Sequence, residues 1–207
     1  PDVLKTLMKI CVDAGAKRVI VLDHPLQDAE IIGTRAAGAE LVNQTRKAML
    51  VLPTTESMYV DTPIPKGKEM KTTKLARILK ESEVLINLPV AKSHGATGVS
   101  LGLKGNMGLN WDRKWMHNAA DFNQTIADLA TVVKPALTIV DAIRALTTRG
   151  PLGPGKVALL NTIVAGRDPV AVDSFAVGLT PWYGRAFTGK DVKHLLIASQ
   201  MGIGELD

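Results

Sequence analysis

Short apolar runs alternate with segments of helical period along this chain, and that alternation limits the fold more than any other feature. Arg18-Val-Ile-Val-Leu-Asp23, Met49–Leu52, Val84-Leu-Ile-Asn-Leu88, Leu137-Thr-Ile-Val140 and Val157–Val164 are short runs of the kind buried as strands inside a sheet. Between them, Val3, Leu4, Leu7, Met8 and Cys11 share one helical face ended by Gly15. Phe122, Ile126, Leu129 and Val133 repeat the pattern ahead of Pro135. Further helices are predicted over Asp28 to about Asn43, Thr73–Glu81, Pro169–Val177 and Val192–Ser199, with a weaker extended segment over Ser57–Ile64. Short connections between such elements predict an α/β fold: a mostly parallel sheet with helices on both faces, in one three-layer domain over residues 1–207.

Composition narrows the function classes. At 46% hydrophobic but only 4% aromatic, the core is expected to be aliphatic. The single cysteine, Cys11, excludes an internal disulfide and a four-cysteine iron–sulfur cluster, and its place on the first helical face reads as a small buried hydrophobe. A net charge of +5 suits an anionic ligand. The basic stretch Lys66, Lys68, Lys71, Lys74, Arg77 and Lys80 has no interleaved aromatics and reads as a solvated helix face, not a nucleic-acid patch. No apolar run reaches the roughly 18–20 residues of a membrane span, so the chain reads as soluble. It opens on Pro1 directly into a helical pattern, which leads us to expect a native N-terminal segment ahead of it.

Candidate chemistry gathers between Asn87 and Asp141. In open α/β sheets ligands bind beyond the carboxyl ends of strands. One predicted strand runs into Pro89-Val-Ala-Lys-Ser-His94, and another ends at Asp141. Pro89 to His117 reads as a loop-rich stretch, before a helix opening at Asn118 and capped with help from Asp121. Within it, Gly102, Gly105 and Gly108 would let backbone N–H groups form an anion-holding nest, with Lys104 adding a full charge. Neither a P-loop nor a G-x-G-x-x-G after a strand is present. His94 and His117 flank the stretch; either could move a proton near neutral pH, or both with Asp141 could hold a divalent metal. His24 reads as a surface-loop histidine, His194 as structural or exposed, and Trp111 and Trp115 as pocket wall or as packing.

These residues resemble the domain of unknown function 362 family of bacteria and archaea. The likeness runs from Leu75-Ala-Arg-Ile-Leu-Lys80 and Val84-Leu-Ile-Asn-Leu-Pro89 through Lys92-Ser-His94, Leu103-Lys104, Asn106-Met-Gly108, Trp111-Asp-Arg113 and His117. It continues through Ile126-Ala-Asp-Leu129, Thr138-Ile-Val-Asp141, Gly150-Pro151, Gly153-Pro-Gly155, Ala165-Gly-Arg-Asp-Pro-Val-Ala-Val-Asp173 and Gly202-Ile-Gly204. The family places lysine and asparagine side by side, whereas Gly105 here separates Lys104 from Asn106. The resemblance implies that Lys92, His94, Lys104, Asn106, His117 and Asp141 form one polar cluster. It also implies an iron–sulfur association through a ferredoxin-like partner, since this chain lacks such a module. It further implies either a cytoplasmic location or export on a twin-arginine signal.

Two functions are therefore expected to compete. In the first, a redox-associated enzyme binds a small anionic substrate or cofactor with Lys92, Gly102, Gly105, Asn106 and Gly108, while His94, His117, Lys104 and Asp141 carry the chemistry. In the second, the same residues capture an anion or a metal, without turnover, for an electron-transfer partner.

Overall fold

The structure is a computed structural model that describes residues 2–24 and 37–206. Helix α1 (Asp2–Asp13) ends where Gly15 turns the chain with φ +96°, a conformation that glycine adopts without strain. It leads into β1 (Val19–Leu22), which pairs in parallel with β2 (Ala48–Val51); α2 (Ala37–Gln44) connects back to β2. The helix predicted from Asp28 lies outside the described residues until Ala37. Cys11 is half-buried, and Met8 is the one α1 residue that is fully buried.

Next comes an antiparallel hairpin of β3 (Tyr59–Pro63) and β4 (Thr72–Ala76), followed by a 3-10 turn over Arg77–Glu81. This corrects the helix predicted over Thr73–Glu81. Leu75, Ile78 and Leu79 are spaced as a helix would space them, but the ladder to Tyr59–Pro63 and the Thr73 hydroxyl, donating to Asn110 Oδ1 at 2.7 Å, hold the first half extended. The basic stretch is accordingly a hairpin and a turn rather than a helix face, and Lys74 pairs with Glu56 on it.

The main sheet has five strands. Strands β5 (Ile86–Asn87) and β6 (Val90–His94) both run parallel to β8 (Leu137–Leu146), interrupted at Leu88-Pro89, where proline brings no N–H. The Pro89 carbonyl still accepts the Asp141 N–H at 2.8 Å, so the register carries across the gap. The run Val84–Leu88 is thus reduced to two strand residues, and Val84 is exposed. Antiparallel strands flank this pair: β7 (Gly98–Ser100) on β6, and β9 (Val157–Gly166) along the length of β8.

Two expectations about element ends are also corrected. Pro89–His117 is not mainly loop: it holds β6, β7, α3 (Gly102–Gly105), a 3-10 turn over Asn106–Leu109 and α4 (Arg113–Asn118). Asp141 does not end a strand but sits in the middle of β8, because polar Asp141 and Arg144 face the exposed side of a strand that continues to Leu146.

Helix α5 (Phe122–Ala130) starts later than Asn118, with Asp121 as its N-cap accepting Gln124 N–H at 3.1 Å. Helix α6 (Pro169–Val177) follows its Asp168 cap and first-turn proline, as the sequence predicts, and α7 (Lys193–Gln200) closes the chain. Helix α6 packs on the inward side of β8, which offers Val140, Ala142 and Ala145, and α7 packs on both α5 and α6, so that Ile126, Leu129, Val170, Val177, Leu195 and Ala198 join one core. The Asp128 carboxylate on α5 accepts the N–H groups of Lys68, Glu69 and Met70 at 2.8–2.9 Å, tying the β3–β4 loop to this core.

Candidate functional site

The glycine-rich stretch does not form the expected nest. Residues 102–105 make one helical turn, and three of its four N–H groups are already used. Gly102 and Leu103 donate to the two oxygens of Asp173, each at 2.8 Å, and Gly105 donates to the Leu101 carbonyl at 2.8 Å. Gly102 is required by close packing: a Cβ there would lie 2.8 Å from Thr138 Cγ2 and 2.9 Å from Asp173 Oδ1. At Gly105 and Gly108 a Cβ would meet nothing closer than 3.5 Å, so neither glycine is demanded by sterics. With Gly102, Leu103 and Gly105 N–H engaged, side chains are the main groups left to hold an anion.

Those side chains do converge. The ammonium of Lys104, displayed by the Asp173-anchored turn, has no hydrogen bond or ion pair among the described residues. Burial, followed by the charges of Lys92 and Arg113, pulls its ammonium down to about 8. His94, at the end of β6, is 6% exposed, and burial together with Lys104, His117 and Lys92 pushes it down to about 4. His117 lies across from it on α4, with ring centroids 6.1 Å apart, and packs on Phe122 at 4.5 Å.

The hydrogen bonds settle which ring nitrogens carry protons. The His117 Nδ1 lies 2.7 Å from the Arg113 carbonyl, which can only accept, so Nδ1 holds hydrogen and a neutral ring keeps its Nε2 lone pair. In His94 the Nδ1 accepts the Ala96 N–H at 3.3 Å, which leaves hydrogen on Nε2. One imidazole is therefore a donor and the other an acceptor. A metal would need the lone pair of both.

Asp141 does not join them. It pairs with Val90, four residues before His94, which places it about 13 Å away along the strand, and its Oδ1 accepts the Ile143 N–H at 3.1 Å. Among the described residues no group of three or more His, Cys, Asp or Glu side chains could hold a metal ion. The trio His94, His117 and Asp141 is thus not assembled, because Asp141 faces the far side of β8. Asn106 is buried in the turn after Lys104, and its Nδ2 has no partner among the described residues.

Two histidines that the sequence reading kept outside the site, His24 as a surface-loop residue and His194 as structural or exposed, lie close to it. His194 on α7 is fully buried, and neither ring nitrogen finds a partner among the described residues. Burial and the nearby charges of Lys104 and His94 push it down to about 3, so it belongs behind the same cluster. His24, at the carboxyl end of β1, takes a hydrogen bond with the Tyr59 hydroxyl at 2.8 Å and stacks on Trp111 at 6.0 Å. Arg113 donates to the His24 carbonyl at 2.6 Å, joining this aromatic group to the cationic one. Trp111 is therefore part of packing around His24, while Trp115 is exposed on α4. The signal for His194 was present only as a polar residue inside an apolar helical face.

Fold and geometry together define an α/β chain that brings Lys92, Lys104, His94 and His117 near one another, with Arg113 alongside and Asp23 close enough to act on it. Here the comparisons are more specific. The family described as Domain of unknown function (DUF362) matches residues 1–178, and the chain belongs to that family. It is similar to the Thylakoid-associated protein sll1697 of Synechocystis sp. (strain ATCC 27184 / PCC 6803 / Kazusa), 30% identical over 109 residues that cover 48% of this chain. The match spans 33% of that relative's length. No solved structure matches.

Proposed function

We propose that the chain binds a small oxyanion or organic anion between Lys92, Lys104, His94 and His117, and that the two imidazoles exchange a proton with it. The observation that carries this reading is Lys104: a largely buried ammonium with cationic neighbours and no acidic partner among the described residues. Like charges held together in low dielectric cost free energy, and a bound anion repays that cost. His94 stays neutral at pH 7 and donates from Nε2, while the His117 Nε2 accepts. That pairing suits proton transfer on a bound acid better than metal capture. The redox association implied by the family resemblance directs the screen towards organic acids and their oxidised forms.

The test is calorimetric titration with inorganic phosphate and then with a series of carboxylates. Lys104→Met is expected to weaken binding by about 10- to 100-fold, the worth of one charge-assisted hydrogen bond. His117→Gln, if the site turns over its ligand, lowers the rate more than the affinity. Unchanged affinity in Lys104→Met would end this reading.

A further inference from the structure

Along β8 and β9 one side of the main sheet is exposed among the described residues, and large apolar side chains make up much of it. On β9 the outward positions are Val157 (56% exposed), Leu159 (72%), Asn161, Ile163 (51%) and Ala165. Register places Ile163 beside Asp141 and Asp141 beside Val90 (49% exposed), with Leu159 beside Arg144 and Val157 beside Leu146. The apolar surface thus runs across three neighbouring strands. A cleft of about 340 Å³ opens on it, lined by Val90, Lys92, Arg144, Leu146, Pro151 and Val157. Leu152, in the adjoining glycine–proline loop, is the most exposed large apolar residue of the group at 74%.

The charges around this surface are mostly positive. From Leu137 to Arg167 the chain has four basic residues, Arg144, Arg149, Lys156 and Arg167, and one acid, Asp141. All four basic residues are exposed, whereas Asp141 is half-buried and its carboxylate already accepts a backbone N–H. Lys156 and Arg167 stand at the two ends of β9.

We propose that this face docks on an anionic lipid surface, with Val157, Leu159, Ile163 and Leu152 entering the interfacial layer and Arg144, Lys156 and Arg167 meeting lipid phosphates. Apolar side chains rimmed by exposed cations match the two attractions by which a protein rests on an acidic membrane without spanning it. Strand addition by a peptide or a second copy suits the face less well. The β8–β9 ladder slips between Ala142 and Arg144, and Asn161 has φ +50°, a bulge that breaks the β9 edge in its middle.

Sedimentation of the 207-residue chain with phosphatidylcholine vesicles, with and without phosphatidylserine, tests the proposal. Binding is expected to vesicles containing phosphatidylserine, to weaken as salt rises, and to fall at least tenfold in Leu159→Asp/Ile163→Asp. Arg144→Glu should lose binding without loss of thermal stability, which separates docking from misfolding. Absence of binding to phosphatidylserine vesicles, or equal binding by wild type and the double variant, overturns the proposal. A dimer in sedimentation velocity that Leu159→Asp dissociates also overturns it, assigning the face to a second copy.

Discussion

Asp173 accepts the main-chain N–H of Leu103 at 2.8 Å, and this bond fixes the residue immediately before Lys104. The carboxylate is wholly buried, and burial raises it to about 7 even though two N–H donors favour its charged form. One acid on α6 therefore sets the position of the cationic site without facing it. Asp173→Asn should cost about 2–4 kcal/mol in chemical denaturation, because an amide cannot accept with both of its atoms. It should also weaken phosphate binding in titration, since the turn that displays Lys104 loses its anchor.

Acid should destabilise the protein in a window that the buried groups define. His94 and His194 are depressed to about 4 and 3 in the folded chain but take a proton near 6.5 once unfolded. Unfolding between about pH 6.5 and 4 thus takes up two protons at these sites, and their contribution to stability is lost as pH falls. Asp173 has the opposite sign, being raised to about 7, so it is protonated when folded and releases a proton on unfolding. The net uptake is one proton, a slope of about 1.4 kcal/mol per pH unit, to which His24, also lowered, adds in the same direction. Urea melts at half-unit pH steps measure it; a flat profile through this window contradicts the burial of these rings.

His194→Leu should leave stability unchanged or raise it by about 1–2 kcal/mol at pH 7, because it removes two buried nitrogens that find no partner among the described residues. It should also reduce the acid slope by about 1.4 kcal/mol per pH unit, one proton's worth. A large loss of stability at pH 7 would mean that the ring is hydrogen-bonded after all.

Gly150→Ala should destabilise by about 2 kcal/mol or more, as a Cβ there would stand 1.9 Å from the Ser93 carbonyl oxygen. Gly150 N–H also donates to Ser93 Oγ at 3.0 Å, so the clash displaces the strand that carries His94. Thermal melts should show the loss, and phosphate affinity should fall with it. Gly105→Ala, with its nearest neighbour at 3.5 Å, is the matched control.

Local signals were read well where local chemistry decides the outcome. Asp168 followed by Pro169 fixes the start of α6, and Gly15 fixes the end of α1. The α/β class, the parallel pairing of β8 with its neighbours on one side and the approach of Lys92, His94, Lys104 and His117 were all legible. What the sequence hid depends on distant partners. Leu75, Ile78 and Leu79 have a helical spacing, and only the ladder of Thr72–Ala76 to Tyr59–Pro63 makes the first part of that segment a strand. The expected nest failed because Asp173, some 70 residues later, takes the N–H groups of Gly102 and Leu103. Asp141 looked like a strand end because a polar residue in an apolar run marks equally well an end or an outward-facing position.

The slip in the β8–β9 ladder has a practical corollary for mutagenesis. Up to Ala142 the even-numbered residues of β8, Thr138 and Val140 among them, point into the core, but beyond the slip it is Ala145 that does so. A substitution series along β8 therefore changes phase in its middle. Replacements at Val140, Ala142 and Ala145 report on folding, and those at Asp141 and Arg144 on the surface, so one ten-residue strand serves as a calibrated ruler separating the two effects.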